Sequence, residues 1–218
     1  MRMVSALDAE WAVRWMRETA RVVAENRALL IDLDRVIGDA DHGENLDRGF
    51  SAVVAKLDAG DAAGTPAAVL KLVAMTLMST VGGAAGPLYG TAFLRAATSL
   101  GETVEVDPGA VADMISAARD GIVARGKAEV GDKTMVDAWT PAAESAGTAA
   151  QAGATAPEVL AAAANAAHAG AVATEPLIAR KGRASYLGER SAGHQDPGAV
   201  STALILQAAA EAAGGEVA

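Results

Sequence analysis

The stretch Asp8-Ala-Glu-Trp11-Ala12-Val-Arg14-Trp15-Met16-Arg17-Glu18-Thr-Ala-Arg21-Val22-Val23-Ala-Glu-Asn-Arg-Ala-Leu29-Leu30-Ile31 sets the fold class. Apolar pairs recur at Trp11/Ala12, Trp15/Met16, Val22/Val23 and Leu29/Leu30, with Arg14, Arg17, Glu18 and Arg21 between them. This is helical spacing, and it predicts one long amphipathic helix over 8–31. Outward from it, period and alanine content predict further helices at 45–58, 66–80, 88–99, 108–126, 135–151, 157–180 and 197–213. Thr65-Pro66, Asp107-Pro108 and Asp196-Pro197 each put a side-chain acceptor at an N-cap and proline at the first helical position. Pro141 leaves the start of the sixth helix open, because proline belongs in a first turn. Glycine-rich breaks fall at Gly60–Gly64, Gly82–Gly86, Gly101, Gly131 and Gly182–Gly198.

No credible alternating strand is present, so the expected fold is all-α, with about eight helices. Short connections make neighbours antiparallel. The alanine-rich segment 142–175 reads as a tightly packed helix pair, since it lacks the Pro/Gly/Ser tracts of a linker. No boundary divides the chain into two cores, so 1–218 is expected to be a single domain. The 218 residues are 51% apolar with only three Trp, two Tyr and two Phe. Such a core is built from Ala, Leu, Val, Ile and Met, which suits helices.

The net charge of −9, with no run of Lys or Arg, argues against nucleic acid and anionic membranes as partners. An acidic chain that binds polyphosphate has to neutralise it locally, with a few cations or with metal ions. Cysteine is absent, which removes disulfides, thiolate zinc sites and Cys nucleophiles. Met1 to Glu10 shows no secretory apolar region, and no apolar stretch is long enough to span a bilayer. A cytoplasmic location is the default expectation.

Four loops are rich in glycine and in charged or hydroxyl residues: 32–45, 80–91, 126–135 and 181–198. They precede the second, fourth, sixth and eighth expected helices. If the helices alternate up and down, all four emerge at the same rim.

Asp34, Asp39 and Asp41 place three carboxylates within eight residues of a glycine-containing segment. Hard divalent cations take oxygen ligands, and magnesium keeps several waters or phosphate oxygens in its shell. The plainer alternative is two turn caps and a solvated carboxylate. The run Gly82-Gly83-Ala84-Ala85-Gly86 enters a helix, and glycines there let backbone N–H groups approach phosphate, or simply allow a tight turn. Gly121 to Ala128 nearly spells a phosphate-binding P-loop, but Ala128 stands where a metal-binding hydroxyl belongs, and no strand precedes it. Beyond it, Thr134 is a plausible N-cap, and Lys133 is one of the few cations near such a turn, where it need do no more than stay solvated. The segment 179–198 carries Arg180, Lys181, Arg183 and Arg190 with His194, the composition of a lid or of a solvated connection. His168 reads as structural. His42 and His194 could contact a nucleotide or satisfy local backbone groups.

Together, IGDADHGENLDRGF (37–50), VGGAAGPLYGTAFLRAA (81–97), RGKAEVGDKTMVDAW (125–139) and ARKGRASYLGERSAGHQDPGA (179–199) resemble the nucleotide-binding L subunit of dihydroxyacetone kinases. The resemblance covers about a third of the chain, in the family's order. It implies a barrel of eight amphipathic antiparallel helices with the nucleotide, ADP or ATP, at one rim. By resemblance Asp34, Asp39 and Asp41 hold two Mg2+ ions that bridge to the phosphates. Nucleotide contacts fall on His42, Gly43, Glu44, Asn45, Ala84, Ala85, Gly126, Thr134, Met135, Arg183, Asp196, Pro197 and Gly198. The family commonly has Ser where Ala85 stands, which removes one hydrogen bond worth on the order of 1 kcal/mol. The resemblance further implies a subunit rather than a whole kinase. Its ketone substrate, dihydroxyacetone or a close ketose, would sit on a separate K subunit, and a phosphohistidine M subunit of the phosphotransferase system would recharge ADP in place. An ATP-exchanging kinase subunit, and a nucleotide-sensing module without transfer, are the alternatives.

Overall fold

The computed structural model describes residues 7–60 and 64–214. Among these residues it is entirely helical: α1 (Ala9–Glu25), α2 (Arg27–Ile37), α3 (His42–Asp58), α4 (Pro66–Thr80), α5 (Ala85–Leu100), α6 (Pro108–Gly126), α7 (Val136–Gln151), α8 (Ala156–Ala173) and α9 (Pro197–Ala212), with a 3-10 segment Arg183–Ser191. Of the expected break Gly60–Gly64, residues 61–63 lie outside the described residues. No described helix is long and apolar enough to cross a membrane.

The expected helix over 8–31 is two helices, because the chain breaks at Asn26. Its φ/ψ of −97/9 leaves the helical basin, and its Nδ2 donates to the Val22 carbonyl at 2.8 Å. The expected caps form: Thr65, Asp107 and Asp196 accept from Ala68, Ala110 and Ala199 N–H at 3.2, 2.8 and 2.7 Å. The helix expected to reach residue 180 ends at Ala173. Pro176 has no N–H to continue it, and Lys133 takes carbonyls just past the helix end, the first of them that of Thr174.

Each helix packs on the next, from α3 through to α9, and α1 packs on both α9 and α3. Eight helices therefore close into a ring, with α2 outside it against α3 and α9. The closure is made by α1. Trp11 and Trp15 lie one turn apart, stack at 5.3 Å, and donate their indole N–H groups to the carbonyls of Ala209 and Ile205 on α9 at 3.2 and 2.8 Å. Trp15 also meets Phe93 of α5, which meets Phe50 of α3, so aromatics span one half of the ring. One contiguous apolar cluster runs from Leu7 to Ala213.

The other half is alanine-rich, and its helices approach closely. Pro141 sits inside α7 rather than in its first turn, and having no N–H it leaves the Asp137 carbonyl without its i+4 donor. That carbonyl faces Gly170 of α8, where an added Cβ would stand 2.3 Å from it and 2.9 Å from Pro141 Cγ. Glycine is required there by space. Gly170→Ala is expected to cost about 1–3 kcal/mol by overpacking, read as a lower urea midpoint at unchanged slope.

Candidate functional site

The four polar loops converge at one end of the ring on a solvent-open cleft of about 210 Å³. It is lined from α2 and the following turn, from the start of α5, from the turn before α7, and from the 3-10 segment and the start of α9. The expected gathering of loops on one rim is what the chain does.

Asp34 lies in the last turn of α2 and is 8% exposed. Its Oδ2 accepts from the backbone N–H groups of Asp41 and His42 at 2.8 and 3.1 Å, so it caps α3 from outside that helix. This is why α3 starts at His42 rather than at 45. Gly38 lies directly against the same carboxylate: a Cβ there would come within 2.0 Å of Asp34 Oδ1. The chain then turns through Ala40, whose φ of 63 is left-handed and costs an alanine about 1 kcal/mol. The turn brings Asp39 and Asp41 to Asp34, with one carboxylate oxygen from each lying within 4.8 Å of the others. Arg183 Nη2 from the 3-10 segment meets Asp39 Oδ2 at 3.0 Å. Three carboxylates facing one arginine leave excess negative charge, and their oxygens are the donor type a hard divalent cation takes.

Successive residues of α3 point about 100° apart, which sorts its expected contacts. His42 and Asn45 line the cleft. Gly43 instead faces α2, where a Cβ would come within 2.4 Å of the Arg27 carbonyl, and Glu44 pairs with Arg27 at 2.7 Å. His42 is buried; its Nε2 shares a 2.9 Å hydrogen bond with Ser201 Oγ, which in turn bonds Tyr89 Oη at 2.6 Å. Desolvation lowers the His42 pKa and raises that of Tyr89. A neutral imidazole committed to this buried chain is a positioned wall of the cleft.

Gly82, Gly83, Ala84 and Ala85 line the opposite side. No side chain caps α5, so its first N–H groups remain available toward the cleft. Gly126 ends α6 behind Leu88 and does not line the cleft; Lys127 follows it in a left-handed C-cap, as befits a helix end rather than a P-loop. Thr134 and Met135 do line it. Thr134 Oγ1 accepts from Val136 N–H at 3.2 Å, but the turn is organised by Asp137, whose carboxylate accepts from Gly131 and Thr134 N–H groups.

Lys133 is not a solvated cation: it is 1% exposed, and its ammonium donates to carbonyls of Thr174, Glu175, Leu177 and His194. The signal for it was a lone cation in a glycine-flanked turn, without its partners in view. Asp196, Pro197 and Gly198 complete the cleft at the start of α9. Desolvation pushes the Asp196 carboxyl up to about 7 against the pull of the Ala199 N–H.

This raised value has a definite sign. The folded protein holds a proton at Asp196 that the unfolded chain has released, so the stabilisation is complete below about pH 4 and is lost as pH rises through about 7. Asp196→Asn keeps an acceptor for Ala199 and removes the titration. Ligand-free wild type is expected to lose stability relative to this variant across that window, in paired urea titrations.

The DAK2 domain family matches residues 36–211 of the chain. The ADP-binding subunit DhaL of the PEP-dependent dihydroxyacetone kinase of Escherichia coli (strain K12) is 46% identical over 208 residues, covering 95% of this chain and 99% of that one. The ADP-binding subunit DhaL of the PTS-dependent dihydroxyacetone kinase of Lactococcus lactis subsp. lactis is 40% identical over 201 residues, covering 92% and 96%. The crystal structure of the dihydroxyacetone kinase of C. freundii in its native form superposes with a TM-score of 0.71 at 25% identity, over 97% of this chain and 36% of that one. The same kinase in complex with AMP-PNP and Mg2+ superposes at 0.67 with 24% identity, over the same shares. With a match spanning most of its length and full-length relatives at this identity, the chain belongs to the DAK2 domain family, among the DhaL subunits of dihydroxyacetone kinases.

Proposed function

We infer that this chain is the ADP-binding, phosphoryl-transferring subunit of a dihydroxyacetone kinase. The observation that carries the reading is the convergence of Asp34, Asp39 and Asp41 at the rim, opposite the uncapped start of α5 and beneath a lid arginine. Full-length relatives named as ADP-binding subunits support it.

The residues present suit a magnesium–nucleotide cofactor. Asp34, Asp39 and Asp41 would hold the metal, and we propose two ions, which also offset the charge of a polyphosphate on an acidic chain. The glycine-rich turn at 82–85 would meet the phosphates with backbone N–H groups. Thr134, Met135 and the segment Asp196–Gly198 would bound the rest of the nucleotide. When bound, this group supplies the transferable phosphoryl and the positive charge that stabilises it in transit.

The protein's own part is positioning. Asp34 keeps its orientation because two backbone N–H groups hold one of its oxygens and Gly38 leaves room for the other. His42 stays neutral and fixed by Ser201, so it adds no competing cation beside the aspartates. Arg183 sits where the lid meets the carboxylates and can exchange Asp39 for a phosphate oxygen by a side-chain rotation.

We further propose that the whole chain acts as one cytoplasmic nucleotide-binding domain. The ketose would be presented by a separate K-type subunit, and a phosphohistidine M-type protein would restore the phosphoryl group. The names PEP-dependent and PTS-dependent carried by the relatives favour that donor over exchange with free ATP.

Asp39→Asn and Asp41→Asn are each expected to lower magnesium-dependent transfer by at least about 100-fold, with helicity unchanged by circular dichroism. Full transfer in the double variant would refute the assignment. Denaturing protein purified in magnesium should release near-stoichiometric ADP. An empty protein that binds ATP reversibly would point instead to the ATP-exchanging mode.

A further inference from the structure

We propose that Lys133 is a positioning residue that clasps the neck of the lid over the nucleotide cleft. The proposal rests on the nucleotide-binding reading above and assigns the control of nucleotide retention to a residue outside the aspartate cluster.

The lid is the chain between the end of α8 and the start of α9. It leaves through Thr174, Glu175 and Leu177 and returns through His194 to Asp196. Lys133 Nζ donates to the carbonyls of Thr174 at 2.8 Å, Glu175 at 3.2 Å and Leu177 at 3.1 Å on the outgoing side, and of His194 on the return. One ammonium thus holds both roots of the loop. An ammonium has three protons, so its donors are spent on these carbonyls and none is free for a phosphate. Two further bonds cross the same neck: Gly193 N–H to the Glu175 carbonyl at 2.8 Å, and Asp196 N–H to Thr174 Oγ1 at 2.9 Å.

The electrostatics fit a clasp. The carbonyl end of α8 is the negative pole of its dipole; burial lowers the Lys133 pKa, and the ionised fraction of Asp196, with Glu175 and Asp137, opposes that shift without cancelling it. Beyond the neck the lid is also tied at Arg180, whose N–H donates to the Asp132 carbonyl at 3.0 Å. Ala179 and Ala184, with Leu187, form a small apolar cluster on Ile37 of α2, while Ser191 Oγ accepts from Ala179 N–H at 2.9 Å. Arg183, the lid residue at the aspartates, sits between these attachments. With the neck fixed, the lid's reach over the cleft is fixed. With the neck loose, Asp196–Gly198 and Arg183 lose their common reference.

The test uses the full chain, with Lys133→Met as the main variant and Thr174→Val as a second that opens the neck without removing the ammonium. Trypsin can report on the lid directly, since Arg180, Lys181, Arg183 and Arg190 are exposed there. Cleavage of the ligand-free protein between residues 180 and 190 should speed up about tenfold in Lys133→Met and about threefold in Thr174→Val, in proportion to the open population. Amide exchange in α4 and α5 should stay as in wild type. Dissociation of a fluorescent ADP analogue at saturating magnesium should quicken by a similar factor, with the half-saturating magnesium concentration unchanged, because the aspartates are untouched.

Unchanged lid cleavage in both variants would overturn the proposal. So would faster exchange across all helices, and so would a loosened lid with an unchanged ADP dissociation rate. A wild-type chain that binds no ADP would overturn the functional reading itself, and the proposal with it; the trypsin measurement, which needs no nucleotide, tells that failure from the others.

Discussion

Closure of the helical ring is the constraint on which the site depends. The indoles of Trp11 and Trp15 tie α1 to carbonyls of α9, and that joint fixes the first helix against the last. Because the ring closes, alternate connections share one end, and residues as distant as His42 and Ser201 become hydrogen-bonded neighbours. The cleft is therefore a product of topology first and of its own side chains second.

Within the cleft, charge is the dominant problem. Asp34, Asp39, Asp41, Asp137 and Asp196 gather near one end, and four of them are dealt with in three ways. Asp34 and Asp137 accept backbone N–H groups, Asp39 takes a lid arginine, and Asp196 is pushed toward its protonated form. The same carboxylates thus serve as helix and turn caps in the folded chain while offering oxygens to a cation. Fold and chemistry share atoms at Asp34 above all, since the oxygen that caps α3 belongs to a carboxylate of the triad.

Much of this was legible in the sequence because the signals are local. Thr65-Pro66, Asp107-Pro108 and Asp196-Pro197 announce helix starts within two residues, and the three aspartates and their glycine lie in one short run. What was not legible depends on partners far along the chain. Asn26 breaks a helix whose apolar period continues across it, because a side chain competes for a backbone carbonyl. The chain just past α8 is held by Lys133, 41 residues before Thr174, and a lysine beside a turn gives no sign that it will be buried. Gly43 and Glu44 stood among the expected nucleotide contacts through the family resemblance. The helix rotates them toward Arg27 instead, and only the true start of α3 reveals that.

The close contact of α7 with α8 has a consequence for how this protein can change over generations. Alanine and glycine have no rotamers with which to make room, so the seam around Gly170 cannot absorb even a methyl group without moving a backbone. The half of the ring built on Trp15, Phe50 and Phe93 has side chains that can repack around a substitution. Variation should therefore accumulate unevenly, freely exchanged in size on the aromatic side and nearly frozen at small residues along the alanine seam. The rigid side is also the one that carries the turn before α7 and the root of the lid.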